Sequence, residues 1–550
     1  MKQKLFSFYI GFITFLMLAF TFACQKLYKY ENLVWDCNNL CSVLIIPLVC
    51  GIAVAILTYF MLHKKFEKKT CIPTTHKEVS FLKFFLISFI GMIVLWLPGF
   101  LAYYPGICAY DFQPQIYQIA NNAYNDHHPL IHTLLIEFFW EFGKKLFHSP
   151  TAGIAIFTIL QIIFVSASFS FVSTSIAKHF NNRKLGWILT GLFALYPFHF
   201  YLSISITKDI PFAMGMVLAV TALFLALSNG QNTFKPQKTD FLLLAALILV
   251  MLFRNNGKYG VIIYIGALIV LLPFMKGRRI LFSRLAAYSV LACTIGFICL
   301  ELLGSYTNAT GGDRREMLSL PGQQIARVVH YHAEELPEET IAQIEIVIWP
   351  SALYCYRPDI ADPVKKDIIS WEVLHYPKKY AELYLDLFKQ YPDEYINAFL
   401  ALYAGFLNPL DVTCNYINAE DGAVPEGLYY IQTVFYDEDM AKFDIKQTPV
   451  LPFLHKWMEA FANGNTFQKI PLINIILVPG VFLWAYLYLL GFSIYKHGFK
   501  NLLPLALVAG YFLTLFAGPT VQLRYLYPVM ICLPVAIVFT FCRRRKTENK

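Results

Sequence analysis

"YDFQPQIYQIANNAYNDHHPLIHTLL", residues 110–135, places two aspartates, three histidines and a run of amides between apolar windows at 83–104 and 151–177. A stretch of roughly 18 to 25 apolar residues crosses a bilayer core of about 30 Å, so this polar passage reads as a loop between two membrane spans. Outward from it, further windows lie near 4–24, 43–63, 185–203, 210–229, 239–254, 258–275, 281–303, 471–495, 501–518 and 525–542. The expectation is an all-α polytopic membrane protein with about twelve transmembrane helices.

Composition agrees. Of 550 residues, 57% are apolar and 15% charged, with a mean hydropathy of +0.51, which excludes an ordinary soluble domain. The formal charge is +9, but it is unevenly placed. Between Ser305 and Lys469 there are 24 acidic and 13 basic side chains, so the excess of cations lies in the short connections. Lys64, Lys65, Lys68 and Lys69, Lys178, Arg183 and Lys184, Lys235 and Lys238, Lys276, Arg278, Arg279 and Arg284, Lys496 and Lys500, and Arg543 to Lys546 follow every second span. The positive-inside rule makes these connections cytoplasmic. Both termini then lie inside, with 105–150 and the long acidic stretch 304–470 outside. A basic total of this kind reports topology and gives no reason to expect nucleic acid. The first window has a signal-like basic start (Lys2, Lys4), but its length favours an uncleaved anchor.

Three regions follow. Residues 1–303 form a membrane domain whose first external loop is 105–150, residues 304–470 form a mainly helical extracytoplasmic domain between helices 9 and 10, and residues 471–550 hold the last helices and a basic tail. A stretch as long as 304–470 is too long for a plain loop. Helices are expected across "REMLSLPGQQIARVVHYHAEEL", "LPEETIAQIEIVI" and "KKYAELYLDLFKQYPDEYINAFLALYAGF", with turns at "YCYRPDIADPV" and loops from Asn415 to Lys446. Residues Gln323 to Tyr331 are expected to cover a cleft. The twelve cysteines form no metal or disulfide framework, although Cys37 with Cys41, and Cys355 with Cys414, face the oxidising side and have the option to pair.

Pro129 suits the first position of a helix. From Leu130 to Phe147 the apolar residues make one broad face, with His132, Glu137, Glu141, Lys144 and Lys145 largely on the other. That is the pattern of a helix lying in the interface plane, and its amino-terminal end is a natural seat for phosphate.

Asp111, Tyr117, Ala120 and then His128, Pro129 and Leu130 resemble, in that order, the first external loop of the GT-C class of integral-membrane glycosyltransferases. The likeness is to protein O-mannosyltransferases and aminoarabinose transferases, in which an acidic residue, a tyrosine, an alanine and an "HPPL" motif follow one another. "SITKDIPFA" (Lys208, Asp209, Pro211), "FRNNG" (Arg254 to Gly257) and "RYLYPV" (Arg524 to Val529) fall in the family order. The resemblance covers mainly residues 80–275 and the final span. Two departures stand out: Phe112 replaces the second residue of an acidic pair, and Leu130 replaces the second proline. The region 304–470 looks instead like a family of uncharacterised bacterial membrane proteins sharing the "QQIARV" and "DPVK" stretches.

The resemblance implies a bacterial cytoplasmic-membrane enzyme that moves a sugar from a polyprenyl-phosphate donor to an extracytoplasmic acceptor with inversion. Asp111 would be its base. A donor whose leaving group is already a stable phosphate needs one base and some cations, not the two carboxylates of a glycosidase. Asp126, His127, His128, Lys208, Arg254, Lys258 and Arg524 are the candidate phosphate or substrate partners. No cofactor is required by this reading. Asp126, His128 and His132 remain candidates for a divalent metal, since His128 and His132 are four apart. Two other readings stay open: a transporter or flippase of lipid-linked saccharides, and a noncatalytic protein of the same fold.

Overall fold

The computed structural model describes residues 1–30, 32–34, 36–63, 79–109, 111–312, 314–410, 433, 435, 437–463 and 470–542. The expectations for Lys64 to Lys69, for most of the 415–446 loop, for Cys414 and for the Arg543 to Lys546 tail lie outside them. Among the described residues the chain is all-helical, with isolated bridges and no strand.

The principal helices are α1 (Lys2–Tyr30), α2 (Ile46–His63), α3 (Phe81–Ala102), α4 (Phe112–Ala120), α5 (Leu130–Phe147), α6 (Pro150–Phe180), α7 (Arg183–Leu195), α8 (Pro197–Ser203), α9 (Asp209–Asn229) and α10 (Lys238–Phe253). They continue as α11 (Gly257–Leu271), α12 (Arg279–Thr307), α13 (Ser319–His332), α14 (Glu338–Val347), α15 (Pro377–Gln390), α16 (Pro392–Leu402), α17 (Pro452–Asn463), α18 (Pro479–His497), α19 (Leu502–Leu515) and α20 (Leu523–Phe541). Among the described residues, eight helical stretches are long and apolar enough to cross a membrane, and nine if α7 and α8, bent by 62°, count as one span. The protein is therefore a multi-pass helical membrane protein. The windows expected at 239–254, 471–495 and 501–518 correspond to α10, α18 and α19, which are not among the eight. At 1.5 Å per residue, the 16 residues of α10 and the 14 of α19 fall short of a 30 Å core.

The bundle is built around α9 and α20. Their apolar windows are 83% and 78% buried, as expected of helices that are hydrophobic all round. The Cys37–His63 stretch that contains α2 is only 17% buried, which leaves its apolar sides for lipid. Local signals set the joints. Ser149 caps α6 through Ala152 N (3.3 Å), Pro150 opens it, and Asn181 ends it in the left-handed region. Asn182 then caps α7 through Leu185 N (3.1 Å). Helices α5 and α6 meet at Gly143 and Gly153, where an added Cβ on Gly153 would stand 2.0 Å from the Phe139 carbonyl oxygen.

That close approach revises the expected face of α5. His132, placed on the polar side by the periodicity, is buried with Thr133, Ile136 and Trp140, whereas Phe138 and Leu146 are exposed. The helix packs on one flank against α6 and turns part of its apolar residues outward. Cys37 and Cys41 are free thiols on successive turns, and Cys355 is also free.

The 304–470 region has its own core, built on Ile325, Val328, Ile344, Ile348 and Leu387. Helix α13 lies inside it. Gln323 and Arg327 are wholly buried, so the stretch expected to cover a cleft instead forms the centre of this unit. The expected helix through 378–406 breaks at Tyr391–Pro392, and its second part, including Leu400 to Leu407, joins the core of the bundle.

Candidate functional site

Four connections meet at one end of the bundle: those after α3, after α8, after α10 and before α20. The opposite end gathers the basic connections, where Arg278 donates to the Leu227 carbonyl oxygen (2.8 Å) and His497 pairs with that of Thr540 (3.0 Å).

Backbone pairing aligns the first two connections. Ile107 N donates to Ile204 O and Ile206 N to Ile107 O, each at 2.9 Å, as a short parallel bridge. This non-helical stretch exposes carbonyls at the end of a membrane bundle, where they need partners. Gln161 of α6 supplies them, donating to Ser203 O (3.0 Å) and Ser205 O (2.7 Å). Because the two bridged segments run the same way, Asp111 and Lys208 emerge side by side.

Asp111 Oδ2 receives both Lys208 Nζ (2.7 Å) and Arg524 NH1 (2.9 Å). Oδ1 takes no hydrogen bond among the described residues, and the side chain keeps 18% of its exposure. Arg524 also donates from Nε to Gln522 Oε1 (2.7 Å) and from NH2 to the Tyr525 hydroxyl (3.2 Å). Behind this pair lies a second carboxylate. Asp209, wholly buried at the start of α9, pairs with Arg254 and lies 3.7 Å from Arg524 NH1. The Arg254 guanidinium stands over the Tyr525 ring at 4.6 Å.

The centre thus holds three cations (Lys208, Arg254, Arg524) against two carboxylates (Asp111, Asp209). Burial by itself would raise the Asp111 pKa, but the adjacent Arg524 and Lys208 hold its carboxyl well below the usual carboxylate range. His128 Nδ1 lies 2.8 Å from Lys208 Nζ. An ammonium has only donors, so Nδ1 is the bare nitrogen and the neutral ring carries its proton on Nε2. Burial and the Lys208 charge push its pKa down to about 2. His132, pushed by burial to about 3, lies 3.0 Å from Gln115 Oε1 through Nδ1, and its buried Nε2 has no partner among the described residues.

Of the residues expected from sequence, Asp111, His128, Lys208, Arg254 and Arg524 come together. Asp126 does not join them, and His127 meets them only through the edge-on contact of its ring with His128 (4.7 Å). Asp126 accepts through Oδ1 from Gly312 N, and Asn255 donates to the carbonyls of Asp126 (2.9 Å) and His127 (3.0 Å), so they fasten the first loop to the entry of the 304–470 region. Lys258 stands by the Tyr259 ring and takes no part in the network. Among the described residues no three His, Cys, Asp or Glu side chains are grouped to hold a metal ion. The residue that sequence reasoning left out is Asp209. Its signal was an acid opening an apolar span, an ion that needs a cation close by.

The chain belongs to the family described as a family of unknown function (DUF6020), which matches residues 119–550 and so begins just after Asp111. No curated protein and no solved structure matches the chain.

Proposed function

We propose that this protein is a GT-C-like glycosyltransferase that moves a sugar, with inversion, from a polyprenyl-phosphate donor to an extracytoplasmic acceptor. In this reading twelve segments traverse a bacterial cytoplasmic membrane, both termini are cytoplasmic, and the ionic centre faces outward. The observation that carries the proposal is the asymmetry of Asp111: one oxygen is anchored by two cations, and the other accepts no hydrogen bond among the described residues.

A base must present a lone pair to the acceptor hydroxyl, and Oδ1 does so. As the acceptor oxygen attacks the anomeric carbon from the face opposite the phosphate, its proton passes to Asp111 and the carbon–oxygen bond to phosphate breaks. The electron pair leaves with the polyprenyl phosphate, whose charge Lys208, Arg524 and Arg254 would stabilise. At rest the same cations make Asp111 a weak base. Donor phosphate, by drawing Lys208 and Arg524 toward itself, would restore its basicity.

That double pairing also favours a second reading, a noncatalytic protein in which Asp111 is only a structural clasp. Reconstituted wild type and Asp111→Asn, each given a panel of polyprenyl-phosphate sugars, decide between them. Donor consumption by wild type that falls at least about a thousandfold in a folded Asn variant supports the enzyme. Equal consumption by both removes Asp111 as the base, and no consumption by wild type turns the reading to the clasp or to a carrier of lipid-linked saccharides.

A further inference from the structure

Helix α4 carries more than Asp111. From Asp111 the positions i+3, i+7 and i+10 are Pro114, Gln118 and Asn121, which share one stripe of a helix with 3.6 residues per turn. A cavity of about 470 Å³ lies along this stripe, lined by Gln113, Pro114, Tyr117, Gln118, Asn121, Ala123 and Asn125. Its volume falls within the usual range of small-molecule sites, about 300–1,000 Å³.

The lining is chemically distinctive. It contains four amides, one tyrosine and no charged residue, next to a centre made of five ions. The amides are held in place. Gln118 Nε2 donates to Asn125 Oδ1 (3.2 Å) and its Oε1 accepts from Asn125 N (3.3 Å). Gln113 Nε2 and the Tyr117 hydroxyl donate to the two oxygens of Asp439 (2.5 and 2.8 Å), and the Tyr117 ring packs edge-on against Phe443. Among the described residues, Gln113 Oε1, Asn121 Oδ1 and Asn125 Nδ2 form no hydrogen bond, a mixed set of acceptors and donors on this frame.

We infer that this groove binds a neutral, hydroxyl-rich ligand, a glycan, and holds it so that one hydroxyl reaches Asp111. Paired donors and acceptors match the dual character of sugar hydroxyls, and the half-buried Tyr117 ring adds apolar surface to the wall. The cation beside the groove, Lys442, lies 3.3 Å from the Tyr117 hydroxyl and is already paired with Asp439 (2.8 Å), so it leaves no net positive charge for an acidic chain. The lining offers no apolar pocket of the kind that selects peptide side chains. Pro114, which lines the groove, follows Asp111 by three residues, less than one helical turn and on a neighbouring flank, so the groove opens about one turn from the base, a separation that a chain of linked sugars spans. The link to Asp111 rests on the transferase reading, whereas the binding itself does not.

The test uses full-length protein in lipid nanodiscs and saturation-transfer NMR. The probes are a β-1,4-linked N-acetylglucosamine tetramer, maltotetraose, a uronic-acid oligomer and a glycine–serine peptide, each at about 10 mM, above the roughly 1 mM Kd expected of a weak open site. At least one neutral glycan is expected to bind. Asn121→Trp, a filling change at an exposed position, should weaken that binding at least about tenfold, and Gln113→Ala should weaken it less. Asp111→Asn should bind the glycan as wild type does while losing transfer. If wild type consumes no donor yet binds the glycan in an Asn121-dependent way, the groove stands and the transferase reading falls. Binding unchanged in Asn121→Trp, no binding of either neutral glycan, or preference for the acidic oligomer or the peptide overturns the groove.

Discussion

Arg524 and Arg327 are both buried arginines, each paired to a carboxylate and each set against a tyrosine ring, with centroid distances of 4.8 Å to Tyr525 and 4.6 Å to Tyr331. Their surroundings differ in one respect. Arg327 Nε donates to Glu394 Oε2 (2.7 Å), and Glu394 Oε1 meets His332 Nε2 (3.3 Å), so both oxygens of this 1%-exposed acid are engaged. Tyr356 and Asn32 take further donors of the guanidinium. Around Arg524, among the described residues, Asp111 keeps an oxygen with no hydrogen bond while Lys208, Arg254 and Arg524 gather at Asp111 and Asp209. A closed centre holds parts together, here α13 and α16 with the 32–33 turn, to which Asn397 also donates. An open centre is poised to accept a ligand.

Substitutions can break that contrast. The largest effect is expected for Asp111→Asn, which should lower turnover at least about a thousandfold with the fold retained, by donor-consumption assay and melting curve. Glu394→Gln should do the reverse. It leaves a buried guanidinium short of its counter-charge, at a cost of about 3–5 kcal/mol in stability, visible as a large drop in melting temperature. Lys208→Met removes one of the two cations on Asp111. It should raise the donor KM about tenfold, within the worth of a charge-assisted contact, and move the acid limb of the rate profile to higher pH, because the carboxyl loses a stabilising charge.

A pH test sharpens the contrast further. The carboxyl of Asp111 is held below its unfolded value, so its pairs contribute stability above about pH 4 and lose it only as pH falls through the lower folded value. The melting-temperature difference between wild type and Asp111→Asn should therefore be the same at about pH 8 and about pH 5. A gap that closes at pH 5 would mean a carboxyl whose acidity is weakened by burial, with a folded pKa above the ordinary value. The smallest effect is expected for Lys258→Met, which lies outside both centres and should leave turnover within about twofold and stability within about 0.5 kcal/mol.

The multi-pass architecture and most of the ionic centre were legible in the sequence for the same reason. Apolar windows announce spans, and Lys208, Arg254 and Arg524 interrupt them at the same end, where charge is costly unless used. Asp209 is visible in the SITKDIPFA stretch, but a site read for cations to hold a phosphate gives an acid no part. Arg327 and Glu394 are 67 residues apart, and nothing local ties them together. The burial of His132 was hidden because periodicity ranks residues by polarity, while the Gly143–Gly153 approach decides which flank of α5 meets α6.

One clasp has a practical outcome. Ala361 N donates to Pro519 O (2.8 Å), Thr520 Oγ1 donates to Asp359 O (3.2 Å), and the same loop runs on to Gln522 and Arg524. Excising the 304–470 insert to obtain a smaller membrane core would strip the support from the start of the last helix. The trimmed protein should still insert into lipid, yet its arginine would no longer be aimed, so the two halves cannot be engineered as interchangeable modules.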